Sequence, residues 1–316
     1  MVHNKFQNRI AESVVTMPVC CVLATILWWW PQQSFALGNI LGWLLCAFTT
    51  YVCMETNGVQ HIIRIRTRMM ACVWLMLAAS LSFMHPWGAP AICAVCLAMS
   101  YYLLFRCYQQ YDSTVWIYHS FLFLGIGSIY SSAMLYMGLL YYFYLIGFLR
   151  SLTGRGFWAG ILGMITPYWC WAVWCFFTNK TDVVMEVLNR HLQWQSVSWQ
   201  ALADLPFVSQ MSIGFVCLLS IVGMIHYLQT KYNDKIHVRM ILYIYTIQTF
   251  LLILYLLLQP CQYQNTMALL VVSASPLIAH YFSLTGSWLS NIFFIMSLLL
   301  CSAMAYFNLW MTSFNI

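Results

Sequence analysis

Charged side chains are scarce in this chain of 316 residues, where Asp, Glu, Lys and Arg make up 6% of the sequence. In water-soluble proteins these four residue types make up about a quarter of the sequence. Hydrophobic residues account for 63%, and in water they would leave large exposed apolar patches. The composition excludes a soluble globular protein and indicates a chain whose solvent is the lipid bilayer. No stretch resembles a soluble domain, so we expect residues 1–316 to form a single integral membrane domain.

The alternating hydrophobicity of barrel strands is also missing, which favours an all-α bundle of transmembrane helices. Windows of about 19 residues predict about eleven spans. They lie near 14–30, 36–54, 69–85, 90–107, 116–132, 134–149, 157–177, 209–228, 240–258, 268–284 and 292–311. The fifth and sixth share one uncharged stretch, in which we place the turn at Ser131–Ser132. The first run lacks a small-residue cleavage site, so we interpret it as a retained span.

Lysine and arginine predict the orientation. With a cytoplasmic N-terminus, eleven of the 13 basic residues face the cytoplasm, as the positive-inside rule requires. Only Lys180 and Arg190 fall outside, in the loop 178–208. Within that loop, Val184, Val187 and His191 share one helical face with other apolar residues, which predicts an amphipathic interfacial helix. A second short helix is expected after Ser198. These helices either seal the bundle or frame an entrance for a lipid-linked substrate.

Aspartate, glutamate, lysine and arginine are absent from the middle of every predicted span, which argues against a proton pump. Sodium coupling through backbone carbonyls stays open. Pro167 and Pro276 fall inside spans, where they either kink helices for packing or line a cavity, as the broken helices of transporters do.

Metal or haem ligation is not indicated either. The 13 cysteines lie nearly all in apolar spans and show no disulfide framework. His119, His226 and His280 lie near the inner ends of different spans but without ligand spacing. We predict no metal and no cofactor.

Arginine is concentrated in "ETNGVQHIIRIRTR", residues 55–68. Arg64, Arg66 and Arg68 are predicted in an inner loop, where they either set the orientation or contact anionic headgroups or a polyprenyl phosphate. If the segment is helical, Arg64 and Arg68 share a face. Arg150 and Arg155, in another inner loop, are further candidates for lipid or phosphate contact.

Several phrases are similar to a family of multi-pass inner-membrane proteins of Bacteroidetes bacteria for which no activity is established. They are "YYLLFRCYQ", "FLFLGIGSIY", "FLRSLTGRGFWAGILGMITPYW", "IHYLQTKYNDKIHVRMILYIY" and "SASPLIAHYFSLT". The resemblance covers most of the chain from about residue 57. It implies a bacterial cytoplasmic membrane and no site residues.

Three functions compete at this point. The first is a non-catalytic scaffold or lipid-interacting subunit in cell-envelope biogenesis, with membrane lipids and other inner-membrane proteins as partners and no nucleic acid. The second is an enzyme acting on a polyprenyl-linked or phospholipid substrate, for which Asp182, Glu186 or Asp204 would be the general base. The third is a transporter of a small solute or a lipid.

Overall fold

The computed structural model describes residues 5–30, 36–179, 181–192 and 202–314, and within these ranges every regular element is helical. In chain order the helices are α1 (Phe6–Glu12), α2 (Thr16–Trp29), α3 (Leu37–Gln60), α4 (Met69–Ser80), α5 (Ala89–Leu104), α6 (Thr114–Ser128), α7 (Ser132–Gly147), α8 (Gly154–Phe177), α9 (Thr181–Leu192), α10 (Phe207–Thr230), α11 (Ile236–Leu258), α12 (Tyr263–Leu284) and α13 (Trp288–Phe314). The all-α prediction is confirmed.

Seven helices of the described part are long and apolar enough to cross a membrane: α3, α5, α8, α10, α11, α12 and α13. An eighth span results if α1 and α2, which are bent by 93°, count as one. The remaining helices are short. With 12 residues, α4 rises only about 18 Å against a hydrocarbon core of about 30 Å. The structure thus shows several apolar helices suited to a membrane, and eleven spans remain a prediction.

Each predicted apolar run nevertheless coincides with one helix. The turn between the fifth and sixth runs lies at 129–131, because α6 ends at Ser128 and α7 begins at Ser132. That is next to the predicted Ser131–Ser132 pair. The short helix α1 was not predicted. It precedes the first apolar run and folds across the end of the bundle, where Gln7 donates to the carbonyl oxygen of Phe282 at 2.6 Å.

The connectors between the helices form two groups. In the first group, 61–68, 105–113, 148–153, 231–235 and 285–287 are joined to one another or to α1. The contacts are Arg64 with Asp234, Thr67 with Ala11, Tyr108 with His237, Ser113 with Ser151, and Lys5 with Gly286. This group carries most of the lysines and arginines, and we call it the basic end.

The second group lies at the opposite end of the bundle, which we call the hydroxyl end. It contains the connectors 81–88, 129–131 and 259–262 together with the start of α3 and helix α9. The contacts are Trp87 with Gly38, Phe83 with Tyr263, Asn265 with Tyr130, and Ser132 with His191. Predicted inner and outer loops therefore fall into different groups.

Helix α12 occupies the centre of the bundle. Of the residues in its most apolar 18-residue stretch, 89% are buried. The corresponding share is 22% for α8 and 33% for α13. Beside it, buried tyrosines find polar partners, as phenols in an apolar interior must. The hydroxyls of Tyr101 and Ser273 are 3.0 Å apart, and Tyr144 donates to Oε1 of Gln248 at 3.0 Å.

Candidate functional site

A buried ionic cluster lies at the basic end, built from Arg64, Asp234, His280 and His226. Nε of Arg64 is 2.9 Å from Oδ1 of Asp234, an ion pair without hydrogen-bond alignment. Nε2 of His280 is 3.2 Å from Oδ2 of the same carboxylate. The side chains of Asp234 and His280 are 0% exposed and that of Arg64 is 41% exposed. One carboxylate thus links a surface arginine to a histidine of the central helix.

The turn that follows α3 places Arg64 next to Asp234. Helix α3 ends at His61, which has a left-handed backbone (φ 50°), and the chain then turns back. Asn57 clamps the turn, since its amide nitrogen donates to the carbonyl oxygen of Thr67 at 2.9 Å and its oxygen accepts from the Ile63 amide at 3.2 Å. This is how asparagine side chains stabilise turns.

Asp234 is placed by the connector between α10 and α11. It follows a single 3-10 turn, Lys231–Asn233, and its amide donates to the carbonyl oxygen of Lys231 at 3.2 Å. Arg64 also donates to the carbonyl oxygen of Asn233 at 3.4 Å. The arginine therefore holds both the carboxylate and the backbone of this connector.

His226 of α10 completes the cluster. Its ring centroid lies 5.5 Å from that of His280 and 5.1 Å from that of Tyr281. Nδ1 of each histidine is buried without a hydrogen-bond partner. Tyr227, next along α10, lies 5.9 Å from the His280 ring and donates its hydroxyl to the carbonyl oxygen of Arg239 at 2.8 Å.

The cluster can do two things chemically. It ties the connector 61–68, the connector 231–235 and α12 together, because one carboxylate is paired with Arg64 through one oxygen and hydrogen-bonded to His280 through the other. It can also hold a proton on one of the two imidazoles beside a carboxylate. A metal site is not formed: no group of three or more His, Cys, Asp or Glu that could hold an ion occurs in the described part.

Sequence reasoning missed this cluster. It placed His280 near the inner end of a span without ligand spacing, and the structure shows that this histidine is completely buried. The side chain of Asp234, which the sequence analysis did not single out, is 0% exposed. His119 was expected at the same level; it is exposed on α6 and lies against Tyr118 instead, 5.3 Å between ring centroids.

The other predicted contact residues stay on the surface. Arg66, Arg68, Arg150 and Arg155 are exposed at the basic end. The segment 61–68 is not helical, so the shared helical face of Arg64 and Arg68 does not exist. Arg64 alone turns inward to a carboxylate, and the remaining four present their guanidinium groups outward.

Pro167 and Pro276 are buried within the continuous helices α8 and α12. Pro167 fits against Gly125, where an added Cβ would lie 3.0 Å from the proline ring. Three cavities lie beside α2, between α2 and α3, and between α10 and the connector 81–88, and neither proline lines any of them. That the prolines border a cavity remains a prediction.

At the hydroxyl end, His191 of α9 joins an uncharged network. Its Nε2 is 3.1 Å from the Tyr168 hydroxyl and its Nδ1 is 3.2 Å from Oγ of Ser132. The Tyr168 hydroxyl is in turn 2.7 Å from Oγ of Ser128. The predicted amphipathic helix is present over Thr181–Leu192, and its Val187 is buried. The second predicted helix, with Ser198, lies outside the described residues.

The thirteen cysteines are all free, in line with the absence of a disulfide framework in the sequence. Cys93 and Cys96 are buried in α5, and the Cys93 thiol points to the carbonyl oxygen of Gly127 at 3.8 Å. This is the behaviour of small packing residues.

Comparisons with protein-family models, with curated proteins and with solved structures found no match. The likeness to a Bacteroidetes membrane-protein family therefore stays a prediction from the sequence.

Proposed function

We propose that the protein is a multi-pass protein of a bacterial inner membrane, with the basic end in the cytoplasm, and that it serves cell-envelope biogenesis as a non-catalytic scaffold or lipid-interacting subunit. The Bacteroidetes-like phrases support the membrane assigned here. The eleven predicted spans and the orientation belong to the same proposal.

Charge supports the lipid interaction. By sequence, the predicted inner loops and the adjoining span ends carry eleven lysines and arginines against four acids, whereas the predicted outer loops carry two against three. Each basic side chain close to an anionic leaflet contributes about 1 kcal/mol of attraction. Arg66, Arg68, Arg150 and Arg155 are exposed and available for such contacts.

One observation carries the non-catalytic proposal: within the cluster, the side chains of Asp234 and His280 are 0% exposed. None of the three cavities described is lined by Arg64, Asp234, His226 or His280. A catalytic or transport site needs a cavity that reaches its ionisable groups. Here the charged groups connect elements of the fold to one another, which is a structural use.

The test is isolation of the protein in polymer nanodiscs, without detergent, followed by identification of what accompanies it. We expect anionic lipids enriched over the bulk membrane and one inner-membrane protein in fixed proportion. Reporter fusions at residues 66, 150 and 235 should all report the cytoplasm. A lone protein surrounded by lipid of bulk composition would refute the proposal, as would residues 66 and 235 on opposite sides.

A second candidate, a proton-linked transporter, is favoured by the contact of His280 with Asp234 and by the nearby His226. Transport would require the connector 61–68 to separate from Asp234 when the cluster takes up a proton. Hydrogen exchange of residues 61–68 at pH 5 and pH 8 tests this. Protection factors, which correct the exchange rates for the pH dependence of intrinsic amide exchange, should fall at low pH in the wild type but not in Asp234→Asn if the protein is a transporter; equal protection factors at both values favour the scaffold. Asp112→Asn, an exposed acid at the same end, is the matched control.

The enzyme alternative has less support. Asp204 is exposed, and it lines none of the three cavities. The side chains of Asp182 and Glu186 lie outside the described part.

A further inference from the structure

One cavity of the described part is a groove beside α2. It has a volume of about 270 Å³ and lies among α2, α4, α10, α12 and α13. Its lining includes Val19, Cys20, Cys72, Leu219, Phe282 and Leu298. We call it the α2 groove.

The lining of the α2 groove offers no unused hydrogen-bonding hydroxyl. Thr16 donates to the carbonyl oxygen of Ile10 at 2.6 Å, and Ser297 donates to that of Phe294 at 2.8 Å. The Cys72 thiol contacts the thioether sulfur of Met17 at 3.5 Å. An occupant that brought a polar group into the groove would leave that group unsatisfied at a cost of about 1–3 kcal/mol. The lining therefore suits hydrocarbon.

The groove opens sideways and is closed at one end. On its open side Val19 is 47% exposed and Leu298 is 41% exposed, so that side faces the lipid. At the basic end α1 crosses beneath α2 at 93°, and Ile10 forms part of the groove wall. Gln7 fixes α1 there by donating to Oγ1 of Thr285 at 2.8 Å. A chain that entered from the bilayer would run along α2 and end at α1.

Two arginines stand at the closed end. Arg9 directly precedes Ile10 and Arg68 directly precedes Met69, and both of those apolar residues line the groove. Arg9 and Arg68 are exposed. Glu12, also exposed, ends α1, so one acid accompanies two arginines. Guanidinium groups bind phosphate oxygens in two-pronged hydrogen bonds.

We propose that the α2 groove binds one acyl chain of an anionic phospholipid from the leaflet at the basic end, with the phosphate held by Arg9 and Arg68. The proposal rests on the lipid-interacting function proposed above and names its ligand. The volume lies below the about 300 Å³ at which small-molecule pockets begin, which suits a single chain. The second chain of the lipid remains in the bilayer.

Native mass spectrometry of the detergent-purified protein, titrated with phosphatidylglycerol or phosphatidylethanolamine, tests the site. We expect one phosphatidylglycerol to bind about tenfold more tightly than phosphatidylethanolamine, which corresponds to about 1.4 kcal/mol. Arg68→Gln should abolish that preference. Lys235→Gln, which removes the same charge from an exposed position directly before α11, should preserve it.

A second set of variants tests the site by filling the groove with a larger side chain. Val19→Trp should weaken phosphatidylglycerol binding at least about tenfold, because the indole occupies the space of the chain. Val22→Trp is the matched control, since Val22 is 59% exposed on the same helix and does not line the groove. Leu298→Trp and Leu299→Trp form a second such pair on α13, where only Leu298 lines the groove.

Three results would overturn the proposal: equal binding by Val19→Trp and Val22→Trp, equal affinity of the wild type for the two phospholipids, or preferential binding of a polyprenyl phosphate. Lipid composition in nanodiscs separates this failure from that of the lipid-interacting function. Wild-type protein that enriches anionic lipid around itself without the single tight site loses only the groove assignment. Wild-type protein that shows neither the enrichment of anionic lipid nor the single tight site would refute both the groove assignment and the lipid-interacting function.

Discussion

The two ends of the bundle are closed by different chemistry. At the basic end a buried carboxylate, Asp234, joins an arginine to a histidine, with contacts of 2.9 and 3.2 Å. At the hydroxyl end, neutral groups do the joining, as in the 2.7 Å contact of Ser128 with Tyr168. A buried charge is tolerated only while it is paired, so an ionic closure fails as a unit. A neutral network loses about one bond at a time.

The largest effect should follow from Asp234→Ala. It strands Nε2 of His280 in a site with no exposure and leaves Arg64 without its carboxylate. We expect a loss of about 3 kcal/mol in the free energy of unfolding, measured by denaturant titration in mixed micelles. Asp112→Ala, at an exposed position of the same end, should change it by less than about 0.5 kcal/mol. Similar losses for the two variants would contradict an ionic closure.

Gly42→Ala probes the backbone closure of the hydroxyl end. A Cβ at residue 42 would lie 2.0 Å from the carbonyl oxygen of His85, whereas one at Gly38 would meet nothing within 4 Å. Because backbone cannot easily move aside, we expect Gly42→Ala to cost about 1–3 kcal/mol. Thermal unfolding in detergent should show a lower midpoint for Gly42→Ala, with Gly38→Ala close to the wild type. Equal midpoints would mean that α3 and the connector 81–88 lie further apart.

The smallest effect belongs to Tyr168→Phe. The change removes a hydroxyl that lies 2.7 Å from Ser128 and 3.1 Å from His191, and both partners can turn to other groups. The expected loss is about 1 kcal/mol, by the same denaturant titration. Tyr111→Phe, at a position 91% exposed, serves as control. A loss as large as that of Asp234→Ala would erase the contrast between the two ends.

Local pattern predicted most of the helices, because apolar runs of sufficient length leave the backbone no other way to satisfy its hydrogen bonds in lipid. The pattern failed where the helix in the structure is shorter than the apolar run in the sequence. The run at 69–85 is continuous in apolarity, but α4 ends at Ser80. The bend before α2 was also hidden, since α1 is polar enough to resemble a loop.

The candidate site was less predictable for a different reason. Its members come from positions 64, 226, 234 and 280, and only packing brings them together. Spacing along the chain carries no signal for such a cluster. What the sequence did show was an unusual density of arginine at 64–68. It could not show that Arg64 alone turns inward, because that depends on the turn clamped by Asn57.

The burial of α12 has a consequence for how the chain is made. A helix in which 89% of the most apolar 18-residue stretch is buried must leave the translocon after its neighbours α4, α5, α10 and α11 have already been synthesised, and it must then enter a space kept open among them. Until residue 284 is in place, Tyr101 has no Ser273 and Asp234 has no His280. The interior of the protein can therefore pack only after the last quarter of the chain has been synthesised. Ribosome stalling in that stretch should leave the incomplete bundle open to membrane proteases.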